Sequence, residues 1–265
     1  PVPASDVPGE RAAATQPFPT RPAPFEYQGV RVDDLVDFTP EIRAMAIEAV
    51  QGFRLGPLYT PPSIEGTITR PGSVGGANWS GAAVDPATGM LFIPSRNAHS
   101  VNRLAAPEPS VQSNLRYMQA GGRAPRMPQG IPLFKPPYSR LTAIDMNRGA
   151  HVWMVPAGRG ERFRSLAPLA SLDLPALGGD SNYSGPLLTR TLLIYALTAG
   201  GTGDGPRLVA FDKATGREVA SADLPAIAIG TPMTYRTRSG RQFVVIATGG
   251  GTDARLVAFA LPARP

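Results

Sequence analysis

The sequence predicts an all-β chain of repeated four-stranded antiparallel units, the arrangement of an arc cut from a β-propeller. Three observations predict it. Gly (29) and Pro (30) are abundant among the 265 residues, which favours short strands and many turns over long helices. The chain changes at Gly75 from a Pro-rich stretch to short β-prone segments separated by turns. An Asp-x-x-x-Gly turn unit also recurs. Leu141–Trp153 aligns with Leu208–Ala220 at a constant offset of 67 residues, and Leu256–Pro262 repeats the opening strand. In this unit Asp bonds back to the turn backbone, Gly takes the positive φ, and the flanking strands alternate apolar residues into a sheet. A sheet unit that cannot bury both faces alone stacks on its neighbours, as propeller blades do. An antiparallel sandwich with similar hairpins is the alternative.

The elements follow in order. Residues 1 to about 37 are Pro-rich and predict extended, irregular chain that cannot form a sheet interior. One helix is expected near 40–51. Thr39 is its N-cap, Pro40 its first residue, and Glu41 faces the positive end of the dipole. Ile42, Met45, Ala46 and Ala49 recur at helical spacing, and Gly52 ends the run. This divides the chain into an irregular segment, 1–74, and a region of blades, 75–265. The first blade runs from Asn78 to Val155, the second from Ser184 to Pro225 and the third from Ile227 to Pro262. A long insertion near 97–137 interrupts the first blade. It reads as too rich in Pro and Arg for a core element, and so as a lid, an interface segment or a disordered loop.

Composition sets further bounds. With 42% hydrophobic and 17% charged residues the chain can bury a substantial core. No run of 18 apolar residues predicts a membrane-spanning helix. The first residue is Pro1, not Met, so a processed product or a fragment is expected, with any export signal or membrane attachment upstream. The absence of Cys excludes disulfides, thiolate metal sites and Cys nucleophiles. The net charge of +6 comes almost wholly from Arg, since Lys135 and Lys213 are the only lysines. The densest basic stretch, Arg96 to Arg140, shows no recognition helix or aromatic platform, so a solvated basic loop is expected and no nucleic-acid partner.

Gly75–Pro94 carries the most information. A glycine-rich approach delivers Asn78 and Trp79, then a small-residue strand, the Asp85–Gly89 turn and an apolar strand. Gly allows close backbone approach to a ligand, Asn supplies donors and acceptors, and Trp supplies a flat stacking face. This string resembles a blade of the quinoprotein dehydrogenases, which hold pyrroloquinoline quinone (PQQ). From about Pro17 to Pro262 the chain is similar to the C-terminal part of PQQ-dependent dehydrogenases of the glucose dehydrogenase type. The matching segments are Gln16–Phe25, Asp33–Glu41, Leu55–Ser63, the Asn78–Trp79 string, Pro132–Tyr138, Gly185–Thr189 and Thr231–Tyr235.

The resemblance implies an eight-bladed propeller, of which this chain supplies about three blades. It implies PQQ in the central channel beside a divalent cation, usually calcium. It also implies hydride removal from an aldose or alcohol to the quinone while a carboxylate acts as base, with a quinone or cytochrome accepting the electrons in the periplasm. The family's catalytic Asp and most cation ligands lie in the N-terminal half of the propeller. No catalytic or metal-binding residue is therefore assigned in this chain. The family's channel Asn-Trp pair matches Asn78 and Trp79, which makes them candidate cofactor contacts, and Tyr183 is a third candidate. The alternative keeps Asn78 as a turn cap and packs Trp79 between blades.

Repeats of this family close with a Trp that docks on the next blade. Trp153 keeps it, whereas Ala220 takes the equivalent place. His99 and His151 are not at metal-ligand spacing, and Gly249–Asp253 reads as a blade turn. Asp85, Asp145 and Asp212 are turn residues, while Asp173 and Asp180 sit in loops. Two other functions compete with an enzyme: a non-catalytic propeller scaffold, and a truncated product whose open ends make it aggregate, pair with a companion chain, or form an open arc that binds PQQ poorly.

Overall fold

The computed structural model describes residues 1–120, 124–181 and 184–261. Fourteen strands in four antiparallel sheets and two short α-helices make up its regular structure, with a few single 3-10 turns.

The first blade has strands β2 (Ala83–Asp85), β3 (Met90–Arg96), β6 (Ser139–Asp145) and β7 (Ala150–Pro156), in that spatial order. The second has β8 (Leu187–Leu188), β9 (Leu192–Leu197), β10 (Arg207–Asp212) and β11 (Glu218–Asp223). The third departs from the expected four strands. Among the described residues it has three: β12 (Met233–Arg236), β13 (Gln242–Thr248) and β14 (Arg255–Ala260).

The repeat is structural. Asp145 Oδ1 accepts from the amides of Asn147 and Arg148, and Asp212 Oδ1 from those of Ala214 and Thr215. The Thr215 hydroxyl and these amides hold the Asp212 carboxyl below its ordinary range. The bulges share the period, falling between Ala143 and Ile144 in one blade and between Ala210 and Phe211 in the next. A bulge bends its strand and increases local twist, so the same bend recurs where each outer strand leaves its turn.

Blades stack face to face. Phe92, Leu141 and Ala143 of the first pack against Leu193, Tyr195, Val209 and Phe211 of the second. Ile194, Ala196 and Leu208 then meet Val244 and Ile246 of the third. Trp153 crosses the first seam as expected. Its indole donates to the Lys213 carbonyl (3.0 Å) and lies 5.8 Å from the Phe92 ring. Lys213 returns across the same seam to Asp85 (2.7 Å), and that bond is the largest influence holding the Asp85 carboxyl low.

The 97–137 insertion is not the coreless loop its composition suggests. It supplies β4 (Ser100–Ala105) and β5 (Met118–Ala120), which join β1 (Thr67–Thr69) in the fourth sheet, ordered β1-β4-β5. Met127, Ile131, Leu133 and Phe134 are buried in a core with Ile42, Ala46 and Val50 of the helix side. The Pro residues between them fix φ without preventing apolar neighbours from packing. Helix α1 (Pro40–Ala49) starts as expected, with the Thr39 hydroxyl accepting from the Ile42 amide (3.2 Å). The second helix, α2 (Glu161–Arg164), had no sequence signal.

Two buried guanidinium groups tie the N-terminal segment to the blades. Arg70 lies 4.4 Å from the Tyr27 ring and 4.5 Å from Phe134, and Arg140 lies 4.4 Å from Tyr27. Each has an acid nearby: Asp34 at 2.9 Å from Arg70 and Glu26 at 3.8 Å from Arg140. Stacking of a desolvated guanidinium on an aromatic face is worth about 2 kcal/mol. Further out, Arg21 donates to the Arg148 carbonyl, and the His151 ring bonds the Ala23 carbonyl (2.8 Å). The Pro-rich segment is thus a strap along the first blade.

Candidate functional site

The Gly72–Gly81 loop leads into β2 and is pinned to the far end of β3. Gly72 N–H donates to the Ala98 carbonyl (2.9 Å), and Arg96 N–H donates to the Gly76 carbonyl (3.0 Å). Gly76 is small because something lies against it: a Cβ there would sit 2.1 Å from Glu26 Cδ. The close approach read from the glycines is therefore satisfied at this position by an internal carboxyl group.

Asn78 organises its own turn. Its side-chain amide donates to the Val74 carbonyl (2.8 Å), and its side-chain oxygen accepts from the Trp79 amide (2.8 Å). In this respect it is the turn residue of the alternative reading. Trp79 is not the inter-blade residue of that reading, because its side chain is fully exposed (100%). Asn78 on one side and Gly81 on the other lock the turn, and among the described residues the indole stands uncovered. Tyr183 lies outside the described residues.

The lead-in segments of the three blades meet beside Trp79. A side chain at Gly185 would come within 2.3 Å of the Ser80 carbonyl and 2.4 Å of the Thr231 hydroxyl. The Ser184 hydroxyl donates to the Gly230 carbonyl (2.7 Å). One hollow of about 510 Å³ runs from Asn78, Trp79 and Ser80 to Ile229 and Thr231. A second, about 440 Å³, is lined by Trp79 together with Phe25 and Ile93. Trp79 borders both. Sequence reasoning missed this convergence, although a signal was there: Asn78-Trp79-Ser80-Gly81 recurs as Asn182-Tyr183-Ser184-Gly185.

A third space, about 240 Å³, lies behind Gly75 and Gly76 and shares Val74, Asn78 and Ser80 with the first hollow. Two buried acids flank it. Glu26 is pushed up by burial more than Ser95 and Arg140 hold it down. Asp180 is also pushed up by burial, although its Oδ2 accepts from the Gly160 amide (2.8 Å). Asp180 Oδ1 is buried with no hydrogen-bond partner. His99 is held below its ordinary value by burial and by Arg70, and packs edge-on to Phe134 (5.0 Å). No cluster of three or more His, Cys, Asp or Glu residues that could hold a metal occurs among the described residues. Gly249–Asp253 closes the β13–β14 turn.

Comparison with known proteins decides the family. The model for "PQQ: Glucose/ethanol/alcohol dehydrogenase, beta-propeller domain" matches residues 1–244. The chain belongs to this family. The quinate/shikimate dehydrogenase (quinone) of Acinetobacter baylyi is 28% identical over 277 residues, covering 96% of this chain and 33% of that protein. The probable quinate dehydrogenase (quinone) of Xanthomonas campestris pv. juglandis is 29% identical over 292 residues, covering 99% and 35%. The quinoprotein glucose dehydrogenase of Escherichia coli is 26% identical over 297 residues, covering 99% and 35%. The chain spans about a third of the length of these curated relatives. Within the PQQ dehydrogenase propeller, then, it supplies stacked blades with their lead-in loops gathered around an exposed indole. No described helix is long and apolar enough to cross a membrane.

Proposed function

We propose that this chain forms one wall of the cofactor channel of a PQQ-dependent dehydrogenase that oxidises an aldose or alcohol. The observation that carries this reading is the fully exposed Trp79, fixed by Asn78 at the junction of three blades. A flat ring cofactor suits it: an indole face uncovered by protein gains stacking and burial when a planar group covers it. Tyr183, in the sequence repeat Asn182-Tyr183-Ser184-Gly185, is proposed as a second cofactor contact.

When bound, PQQ supplies the two-electron sink, with a cation such as Ca²⁺ polarising its carbonyl. The contribution of this chain is orientation and exclusion of water. Asn78 holds the turn that presents the indole, Trp79 would offer a stacking face to the cofactor, and Gly185 packs tightly between Ser80 and Thr231. In this reading, residues outside this chain would complete the site for the aldose or alcohol, with a quinone or cytochrome as electron acceptor in the periplasm.

The test is titration of the 265-residue chain with PQQ, with and without Ca²⁺, read by tryptophan fluorescence. Trp79 and Trp153 are the only indoles. Quenching in the wild type that disappears in Trp79→Phe and survives in Trp153→Phe supports the reading. Quenching that survives in Trp79→Phe refutes it.

A further inference from the structure

Because the indole of Trp79 is fully exposed, its attitude follows the backbone of the Gly72–Gly81 loop that carries it. Asn78 closes the turn locally, and Gly72 and Gly76 are tied to the end of β3. A further support comes from the N-terminal strap. The Glu26 carboxyl lies so close under Gly76 that a Cβ there would fall 2.1 Å from Cδ and 2.3 Å from each carboxyl oxygen. Phe25, the preceding residue, lines the hollow that Trp79 borders. Two consecutive strap residues thus reach one loop, the first beside its indole and the second under its backbone.

The strap is itself fixed to the first blade. The Tyr27 ring lies 4.4 Å from both Arg70 and Arg140, and its hydroxyl donates to the Pro136 carbonyl (3.4 Å). On the other side of Glu26, the His151 ring bonds the Ala23 carbonyl (2.8 Å). Glu26 is held between these anchors with its side chain 10% exposed. Its Oε2 is 3.8 Å from Arg140, beyond hydrogen-bond range, and its Oε1 is buried without a hydrogen-bond partner. The carboxyl group is therefore fastened by packing more than by bonds, and what it offers Gly76 is volume.

We propose that Glu26 is a positioning residue for the cofactor face of Trp79: its bulk, carried under the loop by the strap, sets the orientation in which the indole is presented. The proposal rests on the channel reading above and adds to it a residue that acts through the loop backbone. A wall fixed in advance loses less conformational freedom on binding than one that must first be ordered. Removing the support therefore weakens cofactor binding while leaving Trp79 itself in the chain.

The test uses the 265-residue chain with one indole at a time. In the Trp153→Phe background, time-resolved anisotropy reports the nanosecond motion of Trp79, and its quenching on titration with PQQ reports binding. Glu26→Ala speeds the depolarisation of Trp79 and weakens PQQ binding about three- to tenfold. Glu26→Gln separates the support from the ion pair: Arg140 loses its acid and Tm falls, while Trp79 anisotropy and PQQ affinity keep their starting values. In the Trp79→Phe background, Glu26→Ala leaves the anisotropy of Trp153 unchanged, which a general loosening of the fold would not do. Arg21→Ala, which cuts the outer tie of the strap to Arg148, leaves Trp79 unchanged as well. Thermal melts confirm that each variant folds. Unchanged Trp79 anisotropy in Glu26→Ala overturns the proposal, as does an equal change at Trp153 or a Glu26→Gln that behaves like Glu26→Ala. Faster depolarisation with PQQ binding unaltered overturns it too. Absence of PQQ quenching in every protein, with the anisotropy difference intact, defeats the channel reading and leaves the support of Trp79 by Glu26 standing.

Discussion

Replacing Trp153 with Ala removes the indole that crosses from the first blade to the second. The ring gives up its bond to the Lys213 carbonyl, its contact with Phe92 and its packing over the Asp212–Gly216 turn. Burial of Trp in a core is worth 3–5 kcal/mol on truncation to Ala, and this half-buried ring belongs at the lower end, about 3 kcal/mol. For a chain of this size that corresponds to a fall in Tm of about 6–12 °C. Trp153→Phe keeps most of the packing but loses the hydrogen bond, at a cost of about 1 kcal/mol. Gly216 provides the control. It sits at φ +71, and a Cβ there would lie 2.7 Å from the indole. Gly216→Ala therefore carries two penalties, about 1–2 kcal/mol for the left-handed backbone and a further clash with the ring. In the Trp153→Ala background only the backbone penalty remains, so the double mutant is more stable than additivity predicts. Urea unfolding of the four proteins, followed by circular dichroism, measures this coupling. Strict additivity, or a Trp153→Ala cost below about 0.5 kcal/mol, would refute the seam described here.

Three further outcomes follow from the buried charges and the glycine loop. Lys213→Met lowers Tm at pH 7 because Asp85 loses its partner; its depressed carboxyl contributes fully above its ordinary value of 3.8, so the difference from wild type shrinks as pH falls from 3.8 through the lower folded value. Asp180→Asn has the opposite profile. The raised Asp180 carboxyl favours the folded state at low pH and loses that contribution as pH rises from 3.8 through its higher folded value, so the variant gains on wild type as pH rises above 3.8. Differential scanning calorimetry across pH checks both signs, and a parallel pair of Tm curves contradicts them. Gly76→Ala drives a methyl group into Glu26 and costs about 1–3 kcal/mol by overpacking, and Glu26→Ala in the same chain recovers part of the loss.

Local chemistry was legible wherever it acted over a few residues. The Thr39-Pro40 start of α1 and the Asp145 and Asp212 turns form as the sequence indicates, because each is an interaction between near neighbours. Trp153 also docks on the next blade, as its place at the end of the repeat implied. The insertion misled for a compositional reason. Its Pro and Arg content hid four apolar residues whose partners, on α1 and its flanks, lie some 80–90 residues away in the sequence. At the site, Asn78 and Trp79 could be singled out but their states could not: one amide is occupied by its own turn, and one indole is wholly uncovered.

By itself the sequence determined the repeat, the turns, the helix start and the family, because these depend on spacing and residue type within short windows. Only the tertiary structure decided what meets what. Glu26 lies under Gly76, fifty positions later; Ser80, Gly185 and Thr231 converge from three blades; and Phe25 lines one hollow with Trp79. Such meetings depend on how blades stack, and stacking is set by apolar faces that many sequences would satisfy equally well. Proximity across 50 to 150 residues is therefore a property of the packed arc and leaves no periodic trace along the chain.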